Sequence, residues 1–326
     1  MMLWLWGSAW AASAGLVPLN EPAEDRPTVL VLRKDTPNME TFVQGLAGEL
    51  GSDFNLVGLE VSRESTPAEI GAALEQSHPA AIVLLDNPTA ELYRSYQEQH
   101  QGAVDPPAVI AMALFVEQTA ARVRNATGIA YEVPAVTSLV RLRSTVEAPV
   151  KRVGVVHRPS FGGFVADQAR LAAVEGFEIV PYEVGARPGI GQVRKGLRSL
   201  DKLGIDALWV LNDNVLLNPE LLVGAWLPSM RRYDHPVVVG VPNLLRTDPP
   251  VGSFAVLPDH QSLGMQAADL IFELEQAGWT LDRGTPAAAH LGGDRAQPHR
   301  DGAHGGAAAG RWTGWTRWWS SYFQRS

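Results

Sequence analysis

The chain has 326 residues, 46% of them hydrophobic, with 31 Gly and 23 Pro, which suffices for two cores of ordinary size and many short corners. A net charge of −8 argues against a nucleic-acid partner, because phosphate binding needs a basic surface; the segment after Trp279 holds three acids and six Arg, so the remainder is more acidic still. Zero cysteine excludes disulfides, thiolate catalysis, iron–sulfur clusters, cysteine-based zinc sites and a lipoprotein anchor.

The first residues are typical of a secretory signal peptide. Residues 1–14 are apolar and end in small residues, with Ala-x-Ala cleavage patterns at 9–11 and 12–14. No Lys or Arg precedes the apolar run, so an upstream start or an uncleaved anchor stays open. We expect an exported, soluble periplasmic protein, since no other run reaches the ~18 to 20 apolar residues of a membrane-spanning helix.

Beyond a polar, proline-bounded linker at residues 18–27, we expect the folded body to begin at Val29. Strand signals then alternate with amphipathic stretches. The β-rich runs are residues 29–33, 54–61, 80–86, 108–115, 152–157, 177–184, 207–213 and 236–241. Strands that are apolar on both faces and separated by helices form parallel sheets covered by helices, so the fold class is α/β. Ligands in such sheets bind at the carboxyl ends of the strands.

The connection between the two halves predicts a short strand and a helix. The strand covers residues 129–132 and leads through Pro134 into the helix, whose apolar positions include Leu139 and Leu142. Arg141 and Arg143 lie outside that apolar face.

Two later helices have clear apolar periodicity. Residues 190–200 carry one stripe, with Gly204 placed to end the helix. Residues 263–274 carry another, with Asp259 as a candidate N-cap and a stop near Gly278. Both stripes indicate core packing.

The composition changes from Thr280. Residues 280–310 are rich in Gly, Ala, Pro and His and are expected to be disordered. The end carries Trp312, Trp315, Trp319 and Tyr322, which would share one helical face. This is either an interfacial membrane helix or, as we favour, a poorly ordered extension. Membrane contact is therefore expected only through this tail or the signal segment.

Catalytic signatures are missing from the sequence. It has no Gly-x-Ser-x-Gly elbow, no phosphate-binding P-loop and no His-Glu-x-x-His metal helix. The glycines at 185, 189 and 191 imitate a dinucleotide-binding pattern, but the helix that they precede already explains them. The eight His residues show no ligand spacing before the tail. We expect no cofactor, no metal and no enzymatic activity.

Four loops that follow predicted strands are rich in hydrogen-bonding groups. Three of them lead into helices, whose free N–H groups and dipole can hold an anionic group. The alternative for each residue is a simple cap or turn, which Asn, Asp, Ser and Pro favour. The candidate ligand residues, including one after the last strand, are Asp35, Thr36, Asp86, Asn87, Pro159, Ser160, Phe161, Gly162, Asp213, Asn214 and Pro242.

The second half resembles the ABC-transporter substrate-binding protein family that includes tryptophan- and tyrosine-binding members. The resemblance covers roughly residues 128–275. Its hallmarks are a Lys-Arg-Val-Gly-Val strand leading to Pro159-Ser160, a strand ending in Asp213-Asn214, a Pro-Val strand ending in Gly240, and a helix that opens near Gly264.

This resemblance implies a type I periplasmic-binding fold of two Rossmann-like lobes that close by a hinge around a small ligand. Lobe 1 would comprise residues 27–133 plus 259–279, lobe 2 residues 134–258, and residues 280–326 the linker and tail. Such proteins pass a polar or amino-acid-like ligand to an ABC permease and ATPase complex and do no chemistry. We expect the corner with Ser160 to hold a polar or anionic ligand group and Asp213 to accept from an amine or hydroxyl.

Two loops of the first half depart from the family pattern. Residues 86–89 replace a small Gly/Thr corner, and the loop with Asp35 is charged rather than small and polar. These departures leave the ligand and the role open. The alternatives are a ligand sensor or interaction module of the same fold, coupled to a membrane receptor or export complex, and an enzyme on a doubly wound scaffold.

Overall fold

A computed structural model describes residues 15–281 apart from 103 and 247, and every structural statement below concerns these residues. The expected signal peptide, residues 1–14, lies outside them, and so do residues 282–326, which hold nearly all of the expected disordered linker and Trp-rich tail. The chain divides into two compact units. Unit 1 takes the described residues up to Tyr131 and from Asp259 onward, and unit 2 runs from Glu132 to Pro258.

Unit 1 is built on a six-stranded sheet in the order β1-β3-β2-β4-β5-β6, parallel except at β1. Its strands are β1 Leu16–Pro18, β2 Thr28–Arg33, β3 Asn55–Glu60, β4 Ala81–Leu85, β5 Ala108–Ala111 and β6 Ala126–Gly128. Its helices are α1 Pro37–Leu50, α2 Pro67–Ser77, α3 Asn87–Gln99, α4 Val116–Ala120 and, from the end of the described chain, α10 His260–Gln276.

The strands of unit 1 are apolar on both faces because helices cover both faces. Val29 and Val31 of β2 pack toward α1 and α10 in one cluster, while Leu30 and Leu32 pack toward α2, α3 and α4 in another. All four side chains are fully buried. The alternation of one strand between two cores is the expected result of side chains pointing to opposite faces.

Helices α1 and α10 approach each other through glycine. A Cβ atom on Gly264 would lie 2.1 Å from the Phe42 carbonyl oxygen, and one on Gly45 would lie 2.2 Å from the Gln261 carbonyl oxygen. Only residues without a side chain allow backbones to come this close. Gly264, a hallmark of the sequence resemblance, therefore serves helix packing.

Unit 2 carries a five-stranded, fully parallel sheet in the order β11-β10-β9-β7-β8. Its strands are β7 Arg152–His157, β8 Glu178–Glu183, β9 Ala207–Val210, β10 Val237–Val239 and β11 Phe254–Ala255. Its helices are α5 Ala135–Thr145, α6 Gly162–Val174, α7 Ile190–Lys202, α8 Pro219–Leu221 and α9 Leu227–Met230, with a π-helical turn Leu222–Trp226 between the last two. Short 3₁₀ turns cover Pro159–Phe161 and Pro242–Leu245.

The folded body begins earlier than the sequence indicated. Strand β1 pairs with β3 ahead of Val29. The Asn20 side chain then donates to the carbonyl oxygens of Gly51 and Phe54 and accepts from the Leu56 amide. The expectation that residues 18–27 are only a linker was therefore wrong, because one asparagine amide ties them to the edge of the sheet.

Two predicted strands were misplaced. The strand expected at 129–132 is β6, three residues earlier at Ala126–Gly128. The run expected at 108–115 pairs only to Ala111, because Met112 and Phe115 have positive φ angles of 55° and 53° that turn the backbone out of the sheet.

The helix predictions of the second half are confirmed. Leu139 and Leu142 are buried on α5 while Arg141 and Arg143 are exposed. The stripe of α7 is buried at Val193, Leu197 and Leu200. Asp259 caps α10 by accepting from the amides of Gln261 and Ser262. No helix in the described part of the chain is long and apolar enough to cross a membrane.

Candidate functional site

In unit 1, two charged side chains meet at the carboxyl edge of the sheet. Lys34 directly follows β2, and Asp86 directly follows the neighbouring strand β4. The Lys34 Nζ atom lies 2.9 Å from Asp86 Oδ2, and the side chains are 25% and 17% exposed. Parallel pairing of β2 with β4 places both strand ends at one edge, so the ion pair follows from the topology.

Asp86 has an unusual backbone. Its φ of 101° and ψ of 168° lie in a region that is almost reserved for glycine and costs on the order of 1 to 3 kcal/mol for other residues. Its carboxylate caps α3 by accepting from the Thr89 amide at 2.9 Å. Burial raises the pKa of Asp86, while Lys34 and the Thr89 amide act against that rise. The cap and the ion pair hold the carboxylate in place despite the backbone strain.

Asn87 braces the loop after β5. Its Nδ2 donates to the Leu114 carbonyl at 2.9 Å and to Thr119 Oγ1 at 3.0 Å, and its Oδ1 accepts from the Leu114 amide at 2.8 Å. The structure thus gives the Asn87 side chain a positioning role, while its place as a ligand residue stays a prediction.

The first loop of unit 1 serves as the start of α1. Thr36 is the N-cap, with its Oγ1 accepting from the Met39 amide at 3.3 Å. Asp35 is exposed and directly follows Lys34 in the sequence. The cap that sequence reasoning gave as the alternative for Thr36 is present, and ligand contact by either residue remains untested.

In unit 2, Arg158 and Asp213 form a two-pronged ion pair. Arg158 Nε lies 2.6 Å from Asp213 Oδ2, and Nη2 lies 2.9 Å from Oδ1. Oδ1 also accepts from the Val215 amide at 2.9 Å. Asp213 is 1% exposed and Arg158 is 18% exposed. Bidentate arginine–carboxylate pairs are strong and fix the plane of the guanidinium.

Arg158 has further partners around its guanidinium. Nη1 donates to the Ala186 carbonyl at 3.3 Å. The guanidinium carbon lies 5.4 Å from the centre of the Phe161 ring, within the range of a cation–π contact. Sequence reasoning did not select Arg158. The available signal was a basic residue directly after the first parallel strand of a unit, which also describes Lys34.

The corner after β7 is a tight turn. Pro159, Ser160 and Phe161 form a single 3₁₀ turn that passes into α6 at Gly162. Pro159 and Ser160 are exposed, while Phe161 is buried. The turn therefore leaves Ser160 exposed two residues after Arg158, and ligand contact by Ser160 stays a prediction.

The loop after β9 is packed on the end of β10. A Cβ atom on Gly240 would lie 2.5 Å from Asn212 Nδ2, so a side chain at residue 240 would push the Asn212 amide out of its present position. Asn212 Oδ1 is buried and has no hydrogen-bond partner among the described residues. Asn214 is exposed, and Pro242 begins the 3₁₀ turn after β10. Gly240, another hallmark of the resemblance, thus has a packing role.

The two units place their ion pairs at equivalent positions. β2 and β7 are the first parallel strands of their units, and each pairs on one side with the next strand and on the other with the third, β4 or β9. In both units the cation follows the first parallel strand, β2 or β7, and the acid follows the third, β4 or β9. No cluster of three or more metal-ligating side chains exists in the part of the chain that the structure describes.

Three solved structures are similar to this chain, one of them with a TM-score above 0.5. A ligand-free, open substrate-binding protein with adhesive properties from Clostridium difficile is similar with a TM-score of 0.52 and 16% identity, over 77% of this chain and 85% of that chain. An ABC domain in complex with L-Trp from Streptococcus pneumonia has a TM-score of 0.46, 16% identity and the same coverages. A solute-binding protein of an ABC transporter from Rhodopseudomonas palustris, in complex with 3,4-dihydroxybenzoic acid, has a TM-score of 0.44 and 12% identity. The match covers 79% of this chain and 83% of that chain.

No family model and no curated protein sequence matches the chain. The structural similarity confirms the predicted fold class, an α/β chain with two parallel-strand sheets like those of type I periplasmic binding proteins. Several of the similar structures are substrate- or solute-binding proteins, as the resemblance drawn from the sequence implies, and two others are repressors. At these identities the similarity concerns the fold.

Proposed function

We propose that this chain is an exported solute-binding protein that captures a small polar or amino-acid-like molecule and delivers it to an ABC permease and ATPase complex. One observation carries the proposal: both units of this fold collect charged and hydrogen-bonding side chains at the carboxyl ends of their parallel strands. Open parallel sheets covered by helices bind their ligands at these carboxyl ends. The candidate residues of both units stand in this proposal as ligand contacts.

The chemistry of these loops favours binding over catalysis. In the Lys34–Asp86 and Arg158–Asp213 pairs each charged side chain is bonded to its partner, and general acid–base catalysis needs a group that is ready to exchange a proton with the substrate. Ion pairs of this kind suit the recognition of a small molecule by fixed donors. Export to the periplasm, with removal of residues 1–14, is part of the proposal.

The direct test is to purify the protein natively, denature it, and identify the released small molecule by mass spectrometry. A matched sample, unfolded and refolded before the same analysis, controls for compounds that stick to any protein. We expect one compound at up to one molecule per chain in the native sample alone. Equal amounts in both samples, together with no binding in a metabolite screen, would contradict the proposal.

A further inference from the structure

We infer that Arg158 contacts the ligand and that the ligand presents a carboxylate or a similar oxyanion to it. This inference rests on the proposed function and narrows its ligand class. It also changes the role that the sequence suggested for Asp213, from an acceptor for a ligand amine to the residue that positions Arg158.

The Asp213 carboxylate is poorly accessible to a ligand ammonium. It is 1% exposed, and its two oxygens already accept from Arg158 Nε, Arg158 Nη2 and the Val215 amide. A ligand amine that displaced the guanidinium would break both prongs of the pair. Such displacement of a buried partner is costly.

Arg158 is the partner that remains accessible. A guanidinium has five N–H groups, and Arg158 uses three of them, on Asp213 and on the Ala186 carbonyl. One N–H on each of Nη1 and Nη2 has no acceptor among the described residues. Its side chain is 18% exposed, against 1% for Asp213. A ligand that reaches this ion pair therefore meets N–H donors.

The guanidinium is also held ready for this contact. The bidentate bonds to Asp213 fix its plane, and the Phe161 ring lies beside it at 5.4 Å. Immobilising a long side chain on binding costs conformational entropy. Because Arg158 is already ordered in the free protein, binding does not add this cost. Planar, charged donors of this kind match the geometry of a carboxylate.

Unit 1 repeats the arrangement. There too the cation, Lys34, is the more exposed partner, at 25% against 17% for Asp86. Each unit thus carries an ion pair at an equivalent strand end, and in both pairs the cation is the more exposed partner. A ligand ammonium placed at either cation would meet a like charge, while an oxyanion would meet an attractive one.

The inference is tested with matched probes that differ in one group. Butyrate, benzoate, 3-phenylpropionate and succinate are compared by thermal shift and calorimetry with butylamine, benzylamine, 3-phenylpropylamine and putrescine, together with any compound released from the native protein. We expect saturable stabilisation by at least one acid and by no amine. The Arg158→Gln variant should bind that acid at least about tenfold more weakly than wild type. The Arg158→Lys variant should bind it more tightly than Arg158→Gln but less tightly than wild type, because lysine supplies the positive charge without the paired N–H donors of a guanidinium.

Two further variants serve as controls for this test. Arg152→Gln removes an arginine at the other end of β7, where it pairs with Glu178, and should leave binding unchanged. Arg158→Gln leaves the buried Asp213 carboxylate without its cation, which can destabilise the fold. The double variant Arg158→Gln/Asp213→Asn removes both charges together, and we expect it to fold but to have lost its affinity for the acid.

The outcomes separate the two proposals. Binding of amines in preference to acids, or an acid affinity that survives in the double variant, would overturn the inference and leave the solute-binding function standing. Binding of no probe and release of no compound from the native protein would overturn the solute-binding function itself, and this inference with it.

Discussion

At the scale of single residues, Asp86 combines a strained backbone with three useful contacts. Its carboxylate meets Lys34 Nζ and the Thr89 amide, and its own amide donates to the Ala111 carbonyl at 3.0 Å. Glycine would adopt this backbone freely but would supply no carboxylate. The strained backbone is therefore tolerated at this position because the carboxylate contacts offset it and fix a charge at the edge of the sheet.

Substitutions at Asp86 can separate the strain from the contacts. Asp86→Ala and Asp86→Gly both lose the carboxylate, but only glycine tolerates a φ of 101°. Glycine is also the better N-cap, so Thr36→Ala and Thr36→Gly, at a cap with a φ of −139°, give the matched comparison. We expect the Gly-over-Ala advantage in unfolding free energy, measured in urea, to be about 1 to 3 kcal/mol larger at residue 86 than at residue 36. Equal advantages would contradict the strained backbone.

The partners of the site residues could not be predicted from the sequence, although their loops could. The strand-end corners were identifiable from apolar runs followed by Pro, Asn, Asp and Gly. Arg158 and Asp213, however, lie 55 residues apart, and their pairing depends on β7 and β9 being neighbours in the sheet. The sequence therefore indicated Asp213 as a free acceptor, whereas the structure gives it a guanidinium partner.

At the scale of elements, the crossing of α1 and α10 should be intolerant of any side chain at its glycines. Gly264→Ala and Gly45→Ala would place a methyl group on the backbone of the facing helix, and we expect each to lower the unfolding free energy by about 1 to 3 kcal/mol or more. The control is Gly48→Ala, on the same helix α1 with nothing within 4 Å, which should raise it by up to about 1 kcal/mol. Chemical denaturation measures all three. A neutral Gly264→Ala would contradict the close crossing.

The start of α10 should respond to pH through His260. Its Nε2 lies 3.1 Å from the Tyr131 hydroxyl, and burial lowers its pKa below the ordinary value while the neighbouring Asp259 opposes the change. The folded state then binds this proton less well than the unfolded state, so stability is full above pH ~6.5 and is lost as the pH falls from there through the lowered pKa.

The pH effect is measured by urea unfolding between about pH 5.5 and 8. Wild type should lose more stability on acidification than His260→Gln. The Tyr131→Phe variant keeps the histidine and its burial, and so should keep the wild-type slope. The Asp259 carboxylate, whose pKa is lowered mainly by the Ser262 hydroxyl, titrates below this window. Identical slopes for wild type and His260→Gln would show that the histidine is not involved.

The order and kind of most elements could be predicted because local patterns dictate them. Val193, Leu197 and Leu200 give α7 its face, and Asp259 gives α10 its start. Strand ends were less accessible to prediction. The end of β5 depends on positive φ angles at Met112 and Phe115, and β1 depends on the distant contacts of Asn20. Neither leaves a periodic signal in the sequence.

At the scale of the whole molecule, ligand binding should appear as added stability. A compound that binds the folded chain and not the unfolded one raises the unfolding free energy by about 2.7 kcal/mol at a hundredfold excess over its Kd. Arg158→Gln should reduce this gain for an acid, whereas Arg152→Gln should not.

The most direct measurement of the central claim is calorimetric titration of the ligand-stripped protein with the compound recovered from its native form. The account predicts saturable binding at one molecule per chain with a Kd in the micromolar range or tighter, which corresponds to about 8 kcal/mol or more of binding free energy. The absence of any saturable heat, from the recovered compound and from the acid and amine probes alike, would contradict it.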